Sequence, residues 1–219
     1  MHSLDKITSP VKARLNEPDW LLIIGAGVGG PQALSQILPL FPSDFPGAVV
    51  VVQQMRRGFT RVLADRLNQM CGIHVYEPVD GQALQASRIL IAPGGTQLGI
   101  ERMELSSVIG YNILLEDSNE SHDVSQSLTD YAMNAAAQNF GTKTIGVLLT
   151  GTGSDGREGM RAIAAAGGIT IAQDEASSTI YDLPSSAIDA GVVQEVLPLW
   201  KIAERVISIV TGEINAVAA

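Results

Sequence analysis

The chain has 219 residues, 46% of them hydrophobic, and a formal net charge of −9 at pH 7, which is enough apolar material for one sizeable core and, by length, one domain rather than two. So acidic a chain is repelled by phosphate backbones and anionic lipid heads, which argues against a nucleic-acid partner; no apolar run reaches the roughly 18 residues that membrane insertion needs. The single cysteine, Cys71, can form no internal disulfide and no zinc site by itself, and the N-terminus lacks the apolar stretch of a signal peptide, so a reducing cytoplasm is expected.

Residues 1–18 read as a polar lead-in or linker remnant and residues 19–219 as a single domain. Leu21 to Ala26 is a short apolar run, predicted as a buried strand, and Pro31 to Leu40 has helical spacing with Pro31 tolerated in the first turn. Ala48 to Gln53 carries four consecutive valines, as a central parallel strand does. Phe59 to Met70 is predicted as an amphipathic helix with Phe59, Leu63, Leu67 and Met70 on one face. His74 to Glu77 and Arg88 to Ala92 are short strands, with His74 structural. Residues 97–116 break the alternation and are expected to form an antiparallel hairpin attached to the sheet. Then come a helix from Ser125 to Phe140, a strand from Thr144 to Thr150, a helix from Gly156 to Ala166 and a strand from Ile169 to Gln173. Helices over Pro184 to Ala190 and Leu199 to Val210 complete the chain.

Strands alternating with helices define a doubly wound, mostly parallel α/β sheet with an antiparallel hairpin extension. In such folds ligands collect beyond the carboxyl ends of the strands, which singles out the loops Gly25–Gly30, Gln53–Phe59 and Thr150–Gly156. The first spells G-x-G-x-x-G between a strand and a helix. A dinucleotide site also wants an acid at the end of the second strand. That strand ends instead in Gln53-Gln54-Met55-Arg56-Arg57, and Pro31 removes a backbone N–H directly after the last glycine. Nucleotide binding at Gly25–Gly30 is therefore the weakest of the functional readings.

Taken together, "IIGAGVGGPQAL", "VVVQQMRRGFTRVLADRLN" and "GVLLTGTGSDGREGMRAIAAAGGITIAQDEASSTIYDLPSSAI" resemble the methylesterase domain of the chemotaxis CheB proteins, as do "ILIAPGGTQLGI" and "DAGVVQEVLPL". The resemblance runs from about Leu21 to the C-terminus. It implies an enzyme that hydrolyses glutamate methyl esters on chemoreceptors, using a Ser-His-Asp triad. Where the family has G-A-S-T-G-G, the serine nucleophile's place is held by Gly27; where it has Q-H-M-P, the histidine base's place is held by Gln54. The aspartate of L-T-G-M-G-x-D-G is retained as Asp155, and Thr152 replaces the methionine near the oxyanion region. Glycine has no group to attack an ester, and glutamine has no basic lone pair near neutral pH.

The resemblance thus implies a catalytically inactive relative, acting as a binding or regulatory module among chemoreceptors or other chemosensory signalling proteins, with no cofactor, no metal and an undefined oligomeric state. The alternative is an active ester hydrolase using Ser154 and His122 as substitutes. Val28, Arg56 and Arg57 are expected to border the cleft, the arginines facing an anionic ligand or an acidic partner segment. Gln173, Asp174 and Glu175 are either structural hydrogen-bonders or substrate contacts. There is no room for a receiver domain of roughly 120 residues before the methylesterase-like region, so the chain is either part of a longer protein or a free-standing relative.

Overall fold

A computed structural model describes residues 17–105, 108–117 and 127–212. In chain order the elements are β1 (Trp20–Ala26), α1 (Gly30–Ile37), β2 (Gly47–Gln53), α2 (Phe59–Asn68), β3 (His74–Tyr76), β4 (Arg88–Ile91), β5 (Thr96–Leu105), β6 (Val108–Asp117), α3 (Leu128–Phe140), β7 (Thr144–Leu148), α4 (Arg157–Ala165), β8 (Ile169–Gln173), α5 (Asp182–Asp189), β9 (Glu195–Leu197) and α6 (Leu199–Thr211). Seven strands pair in parallel in the order β3-β4-β2-β1-β7-β8-β9. β1 is central. The chain leaves it for β2 on one side and later fills the other side with β7, so the topological switch point lies between the carboxyl ends of β1 and β7.

The period-2 alternation of the strands divides the core into two layers. Leu22, Ile24 and Ala26 pack with Leu34 and Ile37 of α1, Leu63 and Leu67 of α2, and Ile202 and Val206 of α6. Leu21 and Ile23 face the other way, onto Ala132, Met133 and Ala136 of α3 and Met160 and Ile163 of α4. Both faces being covered, β1 and β2 are apolar almost continuously, which is why they read as unbroken runs.

The expected antiparallel hairpin is there, β5 and β6 pairing as a two-stranded sheet of its own, and two details elsewhere depart from expectation. Leu98, Ile100 and Ile113 bury one face of it in the layer that holds α3, and Asn139 Nδ2 of α3 donates to Ile100 O at 3.0 Å. The apolar face thus pulls the hairpin over a helix rather than onto a sheet edge. In α2 the buried face is Thr60, Leu63, Ala64 and Leu67, whereas Phe59 and Met70 are exposed. Thr60 sets that rotation, because its hydroxyl donates to Glu77 Oε1 at 2.6 Å and accepts from Gly94 N at 3.0 Å. Finally, β9 is a three-residue edge strand beside β8, too short and too polar to read from its pattern. The helix expected from Ser125 starts at Leu128; residues 125 and 126 lie outside the described residues. His74 sits exposed on an edge strand with its ring stacked on Tyr76.

Candidate functional site

At the switch point the three loops are sewn to one another by backbone hydrogen bonds. Gly27 N donates to Thr150 O at 2.9 Å, Gln54 N to Ala26 O at 2.8 Å, Gly151 N to Ile180 O and Leu183 N to Gly151 O, both at 2.9 Å. Two buried glutamines brace them. Gln53 Nε2 donates to Gly27 O at 2.8 Å, and Gln173 Oε1 accepts from Thr150 N at 2.8 Å while its Nε2 donates to Ser177 O at 2.7 Å. The Thr150 hydroxyl, also buried, donates to the backbone O of Val28 or Ile180 and accepts from Ile180 N. These bonds tie the three loops together, since a buried polar group is costly to leave unpaired, although Gln53 Oε1 is buried with no hydrogen-bond partner among the described residues.

The three glycines of G-x-G-x-x-G all serve close approaches within the protein. A Cβ on Gly25 would strike the side chains of Thr129 and Leu148, and one on Gly30 would strike Gln53. At Gly27 a Cβ would lie 2.7 Å from Gln54 Oε1, 2.9 Å from Gly151 Cα and 3.3 Å from Thr152 N. Gly27, Gln54 and Thr152 are thus neighbours. The amide oxygen of Gln54 takes up space that a side chain at 27 would need, and the Gly151 backbone closes the other side. The backbone of Gly27 itself is not in the left-handed region, unlike that of Gly29 with φ 84°.

Asp155 is engaged elsewhere. Its Oδ2 accepts from Thr129 N and its Oδ1 from Asp130 N, both at 3.0 Å, so it caps the N-terminus of α3. Asp130 returns the arrangement: its Oδ1 accepts from Gly156 N at 2.9 Å and Gly159 N at 2.7 Å, capping α4. Asp130, in the first turn of α3, caps α4, and Asp155, two residues before α4, caps α3, where the positive end of the helix dipole favours a carboxylate. Burial raises the Asp130 carboxyl above its ordinary pKa against the pull of the Gly159 N–H, and the neighbouring Asp155 charge adds to the rise. Sequence reasoning overlooked Asp130. The signal was Ser127-Leu-Thr-Asp130, a capping pattern before an apolar run, although here Asp130 reaches to another helix.

The remaining candidates scatter. Ser154 is exposed in the turn before α4, and its hydroxyl makes no hydrogen bond among the described residues. His122, its suggested partner, lies outside the described residues. Arg57 is ion-paired with Asp117 of the hairpin, whereas Arg56 is exposed beside the cleft, as is Val28. Gln173 and Asp174 are structural: Asp174 Oδ1 accepts from Ser177 N at 3.0 Å and from the Ser177 hydroxyl, while Glu175 is exposed. No group of three His, Cys, Asp or Glu among the described residues could hold a metal ion.

A parallel sheet with helices on both faces, a separate antiparallel hairpin and Gly-rich loops over its switch point define a doubly wound α/β protein with its candidate site at the carboxyl ends of the strands. Residues 22–206 match the family model described as CheB methylesterase, and the chain belongs to that family. The crystal structure of the Thermotoga maritima CheB methylesterase catalytic domain superposes with a TM-score of 0.80 and 35% sequence identity, covering 87% of this chain and 98% of that one. A protein-glutamate methylesterase/protein-glutamine glutaminase from Carboxydothermus hydrogenoformans is 42% identical over 186 residues, 85% of this chain and 54% of the relative. One from Moorella thermoacetica is 38% identical over 198 residues, 88% of this chain and 44% of the relative. The chain spans about half the length of these curated relatives.

Proposed function

We propose that this chain is a catalytically silent member of its family that acts as a binding or regulatory module in cytoplasmic chemosensory signalling, engaging chemoreceptors or proteins that work on them. Residues 19–219 are taken as the single domain that carries this role. The observation behind the reading is at Gly27, the position that the resemblance assigns to the nucleophile. No side-chain atom is there to attack, and a serine Cβ would press on the Gly151 backbone at 2.9 Å. Gln54, at the base position, cannot take a proton near neutral pH. Asp155 has no imidazole to orient and accepts two backbone N–H groups instead. Loss of a triad member typically costs on the order of 10⁴ to 10⁶ in rate, and loss of two removes triad catalysis altogether.

The test is release of methanol from a carboxyl-methylated chemoreceptor, with ammonia release from its glutamines followed in parallel because the relatives' names include glutaminase. The unmodified chain, Asp155→Ala and Ser154→Ala are compared. All three should match buffer. Turnover by the unmodified chain that disappears in Ser154→Ala or Asp155→Ala overturns the reading in favour of a hydrolase with substitute residues.

A further inference from the structure

We propose that the solvent face of α2, with the turn before it, is a docking surface for an acidic amphipathic helix of a partner protein; this deepens the binding-module reading by naming the surface and the chemistry of its occupant. Phe59 and Val62 are 61% and 65% exposed. Spaced i, i+3, they share a face, and Arg66 continues the same stripe one turn on. Arg56 lies in the preceding turn and Arg61 beside Val62.

The cations here are unusual within the molecule. Among the described residues, the side chains of Arg56, Arg61 and Arg66 make no ion pair, hydrogen bond or ring contact. Every other described lysine or arginine is in an ion pair, donates a hydrogen bond or lies over an aromatic ring. Residues 54–70 hold four arginines against one acid, Asp65, a surplus of three positive charges in a chain whose net charge is −9. Unpaired cations grouped around exposed apolar side chains complement an acidic partner with an apolar stripe. The stripe from Phe59 to Arg66 is about 10 Å long, two turns of helix, which suits a helix laid across it with apolar residues at i, i+3 and i+4 and glutamates flanking them. Phosphate polymers are disfavoured because the rest of the chain repels them.

The experiment is fluorescence anisotropy of a labelled amphipathic peptide of about 20 residues, rich in glutamate and leucine, titrated with the whole chain. Controls carry lysine for glutamate or alanine for leucine. The acidic peptide should bind with Kd of about 10 to 500 μM at low salt, and more weakly as salt rises. Arg61→Glu/Arg66→Glu should weaken binding at least about tenfold and Val62→Asp about fivefold, while both variants keep the parent melting temperature because the residues are exposed. No binding at about 1 mM, equal binding of the lysine peptide, unchanged affinity in the variants or tighter binding of duplex RNA of matched charge would each overturn the proposal. So would sedimentation showing that the face is covered by a second copy and freed in the variants. Ester hydrolysis is not read in this experiment, so its failure leaves the silent-site reading untouched, and turnover in the methanol assay leaves the docking result untouched.

Discussion

Asp155→Ala separates the two reasons for which an acid can persist at that position. In the structure it accepts two backbone N–H groups at the start of α3. Losing a helix cap costs about 0.5–2 kcal/mol, and a hydrogen bond to a charged acceptor is worth about 1.5–3 kcal/mol. Thr129 is fully buried, so its N–H would be left without an acceptor, whereas water can reach the half-buried Asp130. Removing the charge also relieves its repulsion of Asp130, which offsets part of the loss. The net expectation is a destabilisation of about 2 kcal/mol, or roughly 4–8 °C in Tm for a domain of this size. In urea, followed by circular dichroism, that is a midpoint lower by about 1 M at an unchanged slope of about 2 kcal/mol/M. Asp155→Asn, which keeps one acceptor oxygen, should lose about half as much. An acid retained only for chemistry behaves oppositely, since replacing it is commonly neutral or stabilising. A midpoint within about 0.2 M of the parent in Asp155→Ala would refute the capping argument.

Gly27→Ser should destabilise by about 1–3 kcal/mol through overpacking against Gly151, measured in the same urea assay; Gln54→His added to it leaves the Gly151 contact in place, so the pair should remain less stable than the parent and hydrolyse methyl ester poorly. Asp130 gives a pH dependence of known sign. Its folded carboxyl titrates above its unfolded one, so the folded state holds the extra proton and stability falls as pH rises from the ordinary carboxylate range through the raised value. Asp130→Asn, whose Oδ1 can still accept from Gly156 and Gly159, should flatten that slope, and an equally steep stability–pH curve in the variant would contradict it. Burial pushes the Cys71 thiol from 9.0 to about 11, so its thiolate fraction near neutral pH is about one-hundredth of a free thiol's. Alkylation by iodoacetamide should be slower than that of a free thiol, by less than that factor because a more basic thiolate is also more nucleophilic, and a rate equal to glutathione's would show the thiol to be open.

Much of the molecule could be read before any coordinates. Val49 to Val52, the apolar run of β1 and the 3.6-residue spacing of α4 are local signals, because a residue's own neighbours along the chain dictate which side it buries. The motifs that carry the family resemblance were equally legible, since motif spacing survives in one dimension. Other features depend on residues that meet across long separations. Asp155 bonds the backbone of residues 25 and 26 positions away, and nothing in its turn announces that α3 begins there. Phe59 looks like a core residue by period, but Thr60 and its bonds to Glu77 and Gly94 rotate the helix and turn Phe59 outward. The hairpin's alternation specifies which face is apolar, not whether a sheet edge or α3 will cover it. The backbone of Gly151, which leaves no room for a side chain at Gly27, comes from the loop after β7, on the other side of the switch point. Periodicity records burial; which surface does the burying, and which acid caps which helix, emerges when the layers pack.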